Sequence, residues 1–226
     1  MPNFSIVKQS KIKPSFRVDS VRGRFDLQVD TIKETFDGDI SFENDKWQIG
    51  VIVGNSGTGK TTIVNKLFKD CIIKKDFNSQ SVIDDMPKTS TFDEITTTFN
   101  SVGFSSAPSW LKPYSVLSNG EKMRVDLAYA ILLEQETIVF DEFTSVVDRN
   151  IAKISSCALS KTIRRQNKKI ILVSCHNDIL EWLEPDWIFS TNNMKFVKKN
   201  SSDQKLNYQF LNVKEMYGKC LVNITI

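Results

Sequence analysis

The sequence predicts an α/β fold in which a mostly parallel sheet is flanked by helices. The first observation is a continuous apolar run at 49–53, typical of a strand buried on both faces, which a glycine-rich loop and a predicted helix at 60–69 follow. The second is an alternation of strand-like and helix-like segments later in the chain, at 137–140, 148–166, 170–174, 177–183 and 187–190. Such alternation favours parallel strands whose crossover helices cover the sheet.

The composition is that of an ordinary globular domain. The chain has 226 residues, 40% of them hydrophobic and 25% charged, with a formal net charge of +3. This length suits one α/β domain with at most a small appendage. No apolar run approaches the roughly 18–20 residues that span a bilayer, and no basic segment followed by an apolar one opens the chain. We therefore expect a cytoplasmic protein.

The cysteines point to free thiols rather than to a metal site. Cys71, Cys157, Cys175 and Cys220 lie far apart and form no CxxC pair. The pair Cys175-His176 lacks further ligands for zinc, because the chain has a single histidine.

The predicted organisation has three parts. Residues 1–16 form a polar, basic arm that is loose or docked at a sheet edge, and 192–226 form a tail with short strand-like runs. The central domain, 17–191, begins with an antiparallel β-subdomain and contains a helical subdomain at about 76–134. The predicted short elements are strands at 25–29, 39–42, 47–53, 194–198, 206–213 and 220–226, and helices at 92–102, 108–112 and 120–134.

Residues 54–61 fit the phosphate-binding pattern GxxxxGK[ST] in its required setting between a strand and a helix. Glycines let the backbone wrap around a phosphate, and the helix N-terminus adds partial positive charge. Lys60 would neutralise the β- and γ-phosphates, and the Thr61 hydroxyl would bind Mg²⁺. The pattern predicts an ATP-binding loop made of Gly54, Asn55, Ser56, Gly57, Thr58, Gly59, Lys60, Thr61 and Thr62.

The apolar strand at 137–140 ends in two carboxylates, Asp141 and Glu142. The carboxyl end of a parallel strand faces the ligand crevice. Asp141 is predicted to bind Mg²⁺, directly or through water, and Glu142 to polarise the attacking water as general base. The alternative is a strand that ends in two solvated carboxylates without a function. The neighbouring phosphate-binding loop favours the metal-binding and catalytic interpretation over it.

Three further segments narrow the class of protein. Leu117-Ser-Asn-Gly-Glu121 precedes a predicted helix, Phe143-Thr-Ser-Val-Val-Asp148 follows the two carboxylates, and His176 ends a buried strand. Together with the phosphate loop, and in this order, they resemble the ABC-type ATPase superfamily over residues 17–191. The family's signature is LSGGQ, its D-loop is usually PTSALD, and its switch histidine lies after a strand. Here Asn119 and Glu121 replace Gly and Gln.

The resemblance implies a homodimer that forms head to tail around two ATP molecules. Ser118 and Gly120 of one subunit would contact the γ-phosphate bound by the other subunit. His176 would hold that phosphate and the attacking water, and Asp148 would couple the two sites. With Lys60 and Glu142, His176 completes the predicted catalytic set, and ATP and Mg²⁺ are the implied cofactors.

The chain also departs from the family's pattern. Only 58 residues separate Lys60 from Ser118, fewer than transporter subunits usually have, and the missing length falls in the subdomain that meets a membrane partner. We therefore expect no membrane partner. Gln80 is the only glutamine between the two motifs, so it is the candidate for the metal-contacting Q-loop glutamine, against an ordinary polar loop. Phe25 is a candidate for stacking on adenine, against a core phenylalanine.

Longer matches resemble one branch of the superfamily, at 21–26, 101–114, 117–121, 140–149 and 173–189. This branch contains soluble, non-transporter ATPases of bacteria and phages, found alone or fused to a GNAT-type acyltransferase domain. The resemblance suggests DNA, RNA or a separate acyltransferase-like protein as partner, and local clusters of lysine and arginine fit nucleic acid. Two alternatives stay open: a detached nucleotide-binding subunit of a transporter, and a non-catalytic ATP-dependent binding module.

Overall fold

The computed structural model describes residues 3–41, 46–73 and 75–199. Its strands are β1 (Phe4–Lys11), β2 (Thr31–Gly38), β3 (Ile49–Val53), β4 (Thr137–Phe140), β5 (Lys169–Ser174), β6 (Trp187–Ser190) and β7 (Lys195–Lys198). Its α-helices are α1 (Phe16–Phe25), α2 (Lys60–Leu67), α3 (Phe92–Ser101), α4 (Ala107–Trp110), α5 (Asn119–Leu132), α6 (Arg149–Gln166) and α7 (Ile179–Leu183). Two 3-10 turns lie at Lys69–Cys71 and Tyr114–Val116.

The main sheet has five strands in the order β4-β5-β3-β6-β7. The first four are parallel, and β7 runs antiparallel to β6. All five residues of the central strand β3 are buried, as its continuous apolar sequence predicts. The predicted α/β fold with a mostly parallel sheet is therefore confirmed. Parallel strands bring their carboxyl ends to one edge, where the predicted site residues lie.

Apolar side chains on the two faces of the sheet belong to two separate core clusters. Val51 packs on the face that α3, α5 and α6 cover, whereas Ile52 packs on the face that α2 covers. The second cluster also includes Phe4, Ile6 and Phe36 from the small sheet of β1 and β2. The β1–β2 sheet thus contributes to the core through one end only.

Helix α5 forms the centre of the helical segment and is buried on most sides. It carries Asp126, which is only 8% exposed and accepts hydrogen bonds from Lys75 Nζ at 2.7 Å and Tyr114 Oη at 2.9 Å. Burial raises the pKa of Asp126, and the hydrogen bonds from Lys75 and Tyr114 oppose that rise. These bonds fasten the loops on either side of α3 and α4 to α5.

The N-terminal predictions need correction. Residues 4–11 are not a loose arm but strand β1, which pairs antiparallel with β2 from Phe4↔Gly38 to Lys11↔Thr31. The strand predicted at 25–29 is wrong, because helix α1 runs to Phe25. The helix begins after Ser15, whose side chain accepts a hydrogen bond from Val18 N at 3.2 Å. The strand predicted at 39–42 is also not observed at residues 39–41. The capping serine, Ser15, is the sequence signal that could have indicated α1.

The sheet continues past residue 191. The run predicted at 194–198 is β7, which pairs with β6 from Trp187↔Lys198 to Ser190↔Lys195. The strand-like runs predicted at 206–213 and 220–226 lie outside the described residues. In the described part of the chain, no helix has the length and apolar character needed to cross a membrane.

Candidate functional site

The glycine-rich loop connects β3 to α2, and Lys60 is the first residue of α2. Gly57 and Gly59 have positive φ angles of 82° and 84°, a region that side chains with a Cβ rarely adopt. A Cβ on Gly59 would lie 2.3 Å from a ring carbon of Phe36 in β2. Gly59 is therefore required both by its backbone conformation and by the close approach of β2.

Lys60 points back over this loop. Its Nζ donates hydrogen bonds to the carbonyl oxygens of Gly54 and Asn55, both at 2.6 Å. Partial burial lowers the pKa of Lys60, and the nearby Cys175, Asp141 and Glu142 oppose that shift. The ammonium group thus lies within electrostatic reach of the ends of β4 and β5. A bound phosphate would replace the two carbonyl contacts with a full negative charge.

Two residues that follow β6, Thr191 and Asn192, form hydrogen bonds with the phosphate-binding loop and with the end of β3. The sequence patterns indicated neither of them. Thr191 places its Oγ1 2.5 Å from Thr58 Oγ1 and donates its N–H to Val53 O at 2.8 Å. Asn192 accepts a hydrogen bond from Asn55 N at 2.9 Å through its Oδ1. No local signal marks these residues, because they reach the loop only through the pairing of β6 with β3.

A hydrogen bond joins the phosphate-binding loop to the pair of carboxylates that follows β4. Thr61 Oγ1 donates to Asp141 Oδ2 at 2.9 Å, which joins the start of α2 to the end of β4. Hydroxyl and carboxylate oxygens are the hard ligands that Mg²⁺ prefers. No group of three or more His, Cys, Asp and Glu side chains suited to a metal occurs in the described ranges. The donor set therefore fits an ion that the protein holds through two side chains and that needs ligand phosphates as well.

Glu142 lies on a sharp turn at the end of β4. Its φ is 57°, and its N–H donates to Asp141 Oδ1 at 2.9 Å. The turn is anchored by Phe143, which is fully buried and donates its N–H to Val173 O of β5 at 2.8 Å. The left-handed conformation costs free energy, which the buried anchor offsets. The turn leaves the Glu142 side chain exposed at the carboxyl edge of the sheet.

His176 follows β5, which lies between β3 and β4 in the sheet. The strand order therefore places His176 between the phosphate loop and the two carboxylates. The residue is half-buried, and its N–H donates to Ser174 Oγ at 3.1 Å. Burial lowers the pKa of His176, Arg149 lowers it further, and Asp178 opposes both effects.

Arg149 connects the start of α6 to the segment that carries His176. Its guanidinium forms two hydrogen bonds with Asp178, one of them from Nε to Oδ2 at 2.8 Å. It also lies over the Trp182 ring, 5.3 Å from the ring centre. Since Arg149 directly follows Asp148, this ion pair links the predicted D-loop to the predicted switch histidine.

We expect Arg149→Met to raise the pKa of His176, because it removes the cation that disfavours the imidazolium. Asp178→Asn should lower the pKa, because it removes the group that favours the charged form. His176 is the only histidine of the chain, so an NMR titration of untagged protein reports on one imidazole. Shifts of the same sign in both variants would contradict this electrostatic account.

The signature-like segment begins α5. Ser118 and Glu121 form a reciprocal capping box: Ser118 N donates to Glu121 Oε2 at 2.9 Å, and Glu121 N donates to Ser118 Oγ at 3.3 Å. Glu121 also accepts from Ser109 Oγ at 2.9 Å, and the bonds from Ser118 chiefly lower its pKa. Gly120 is buried with Ile151 nearby. The capping box gives a structural reason for Glu121 at the family's glutamine position.

The remaining predicted residues lie at a helix cap, in a loop and on exposed parts of two helices. Asp148 caps α6, accepting hydrogen bonds from the N–H groups of Asn150 and Ile151 at 2.9 and 3.0 Å. Gln80 is exposed in a polar loop. Phe25 is 66% exposed, so the core explanation for it is wrong. Asn119 is the exposed first residue of α5.

Stretches of the chain are similar in sequence to two proteins whose names refer to transporters. It is 34% identical over 86 residues to a probable ATP-dependent transporter, ycf16, of Trieres chinensis, covering 38% of this chain and 34% of that protein. It is 35% identical over 91 residues to the energy-coupling factor transporter ATP-binding protein EcfA1 of Mycoplasmopsis pulmonis, covering 40% of this chain and 34% of that one. The chain thus spans about a third of the length of these relatives. No family model matches.

Solved structures share the fold at low sequence identity. A dimeric, post-hydrolysis state of the ATP-binding cassette MJ0796 with ADP and Pi has a TM-score of 0.57 at 13% identity, over 86% of this chain and 98% of that one. The protein cbiO1 of Clostridium perfringens, part of an ABC transporter complex, has a TM-score of 0.57 at 16% identity, over 83% of this chain and 85% of that one. A putative metal-chelate type ABC transporter in an inward-facing conformation has a TM-score of 0.57 at 17% identity, over 73% of this chain and 77% of that one.

The chain has the α/β fold of ABC ATPase nucleotide-binding domains. The sequence similarity to the named relatives covers 38% and 40% of the chain, and the solved structures share its fold. Both relatives are named as transporter proteins, and neither is named as a non-transporter ATPase or an acyltransferase fusion.

Proposed function

We propose that the chain binds ATP with Mg²⁺ and hydrolyses it to ADP and phosphate. The observation that carries this proposal is the 2.9 Å hydrogen bond between Thr61 and Asp141. It brings the end of the phosphate loop to Asp141, which directly follows the apolar strand β4 and precedes the general-base candidate Glu142. This is the arrangement that ATP hydrolysis in a P-loop protein needs, because positioning and charge neutralisation do most of the work.

Each residue of the site has a distinct role in this proposal. The loop N–H groups and Lys60 bind the β- and γ-phosphates, and Thr61 and Asp141 hold the metal ion. The bound ion supplies charge neutralisation at the phosphate oxygens. Glu142 accepts the proton of the attacking water, and His176 positions that water and the γ-phosphate.

We also propose a head-to-tail homodimer in the ATP state, with Ser118 and Gly120 of one chain closing the site of the other and Asp148 between the two sites. Two observations support it. Ser118 is exposed at the N-terminus of the 14-residue helix α5, where partial positive charge attracts a phosphate. One solved neighbour of the same fold is a dimer with ADP and Pi.

The partner of the ATPase is a separate proposal. We propose a cytoplasmic ATPase that serves a nucleic-acid-related or acyltransferase-type partner, because the helical segment between Lys60 and Ser118 is short. A second candidate is a transporter subunit, which the names of both sequence relatives favour. Co-purification of the tagged chain with a membrane protein would support that second candidate.

Phosphate release by the purified chain tests the hydrolysis proposal. We expect turnover with ATP and Mg²⁺, loss of turnover with EDTA, and loss in Lys60→Ala because the phosphate charge is no longer neutralised. Binding of a fluorescent ATP analogue is measured in parallel. Nucleotide binding without phosphate release above the buffer rate would instead identify a non-catalytic binding module.

A further inference from the structure

The N-terminal ribbon, which we define as residues 4–38 with β1, α1, β2 and the loops between them, exposes an unusual amount of apolar surface. Among the described residues, six of the eleven exposed large hydrophobic side chains lie in it: Val7, Phe16, Val21, Phe25, Leu27 and Ile32. Phe16 is 87% exposed and Phe25 66% exposed. Single exposed apolar residues are ordinary, but a concentration of them marks an interaction surface.

Apart from Phe4, Ile6 and Phe36, which pack in the core beneath the main sheet, the ribbon has no buried apolar residues of its own. Helix α1 has ten residues and none of them is buried. Helices this short are marginal without packing, and so is a two-stranded sheet. We therefore expect a partner to cover this part of the chain.

The exposed part of the ribbon projects away from the core. Its base is held by Phe4, Ile6 and Phe36, which are buried, and Phe36 contacts the phosphate loop at Gly59. From the pair Ile6↔Phe36 the strands continue for five more residue pairs to Lys11↔Thr31. At about 3.4 Å per residue this is roughly 17 Å of exposed sheet before α1.

The surface of α1 combines cations with aromatic rings. Arg17 and Arg24 are seven residues apart, which places them within about 20° of each other on the helix and about 10 Å apart. The same spacing rule places Phe16 on one side of this arginine face and Phe25 on the other. The whole ribbon, residues 4–38, contains seven cations, Lys8, Lys11, Lys13, Arg17, Arg22, Arg24 and Lys33, and five acids, Asp19, Asp26, Asp30, Glu34 and Asp37.

The two arginines on one face of α1 differ from the other cations of the ribbon in their surroundings, since Lys8 lies opposite Glu34 in the strand register. Arg22 forms an ion pair with Asp30 at 3.0 Å and donates to Val29 O at 2.6 Å. Arg17 and Arg24 show no ion pair with the described residues and are exposed. On α1, the positive charge that no ion pair neutralises therefore lies on the face that the two phenylalanines flank.

We propose that the ribbon binds single-stranded nucleic acid. Arg17 and Arg24 contact successive stretches of the phosphate backbone, and bases stack on Phe16 and Phe25. Positive charge beside exposed aromatic rings is the combination that single-stranded nucleic acids recognise, because phosphates need cations and unpaired bases need a flat apolar surface. This binding rests on the nucleic-acid-related partner proposed above and assigns it a surface of the chain, and it needs no ATP.

The distribution of side chains favours this partner over a membrane surface. A helix that lies in the membrane interface has its apolar residues on one face. In α1, Phe16 points about 180° away from Phe25 and about 140° away from Val21, so the apolar residues form no single stripe. The arginines lie between the rings instead of on the opposite face.

Fluorescence anisotropy with labelled 20-mers of oligo(dT) and oligo(rU) tests the proposal on the full chain without nucleotide. We expect saturable binding that weakens as salt is raised. Phe16→Ala/Phe25→Ala and Arg17→Glu/Arg24→Glu should each weaken binding about tenfold or more. The two oligonucleotides distinguish DNA from RNA.

Matched control variants lie elsewhere in the chain. Phe92→Ala removes a phenylalanine that is also 66% exposed, on α3, and Lys153→Glu/Lys161→Glu reverses two exposed charges on α6. Neither should change oligonucleotide binding, and melting curves check that all variants fold. Arg17→Glu/Arg24→Glu should keep the wild-type rate of phosphate release without nucleic acid, so a failed ATPase proposal is distinguishable.

Three results would overturn the proposal. The first is no saturable binding of either oligonucleotide at low salt. The second is binding that the control variants weaken as much as the ribbon variants do. The third is loss, in the ribbon variants, of binding to vesicles containing anionic lipid or of self-association, with oligonucleotide binding unchanged.

Discussion

Glu142→Gln is expected to bind ATP like the wild-type chain and to release phosphate about 100-fold more slowly or worse. Glutamine has nearly the same shape but cannot accept the proton of the attacking water, and a positioned general base contributes about 10²–10⁴-fold. The turn around φ 57° at this residue is anchored by the neighbouring Phe143, so the exposed side chain changes without loss of packing. Because the unhydrolysed ATP stays bound between the two chains, we also expect the dimer to accumulate.

Single-turnover phosphate release and size-exclusion chromatography with ATP and Mg²⁺ measure both effects. Glu136→Gln is the matched control, because Glu136 precedes the other end of β4, is exposed, and pairs with Lys169 at 2.8 Å. It should turn over normally. A wild-type rate in Glu142→Gln would refute the assignment of the general base.

Ser118→Arg is expected to lower turnover to background while ATP still binds to the monomer. Ser118 is exposed at the N-terminus of α5, where the proposed dimer places it against the partner's γ-phosphate. A long cationic side chain there fills the space between the two chains. The phosphate loop that binds ATP in the same chain is unchanged, so nucleotide affinity persists.

The substitution also removes a helix cap, and this effect needs its own control. Loss of a serine cap costs about 1 kcal/mol. Thr91→Arg is a close match, because Thr91 and Glu94 form the same capping box at the start of α3. It should lower the melting temperature by a similar amount and leave turnover intact. Turnover in Ser118→Arg equal to that of Thr91→Arg would contradict the composite site.

Much of the sheet and part of the site could be predicted from local sequence. The strand at 137–140 has the predicted bounds, and the apolar run at 49–53 is β3. Both are buried on two faces, so every residue carries the signal. The contact between Thr61 and Asp141 also agrees with the predicted motifs, because parallel strands bring their carboxyl ends together.

The N-terminal ribbon could not be predicted in the same way. β1 and β2 are largely exposed, so their alternation is weak, and their pairing joins residues as distant as Phe4 and Gly38. Helix α1 buries none of its residues, so it has no apolar face that periodicity could detect. The hydrogen bonds of Thr191 and Asn192 to the loop depend in the same way on long-range strand pairing.

The sequence by itself determined the nucleotide-site chemistry that we propose, because phosphate binding, metal binding and proton transfer each need a short run of residue types next to a buried strand or a helix start. Only the tertiary structure decided how these groups are supported. The ion pair of Arg149 with Asp178, the contact of Phe36 with Gly59 and the exposed face of the ribbon join residues far apart in the chain. Such contacts follow from strand order and packing, which local patterns do not encode.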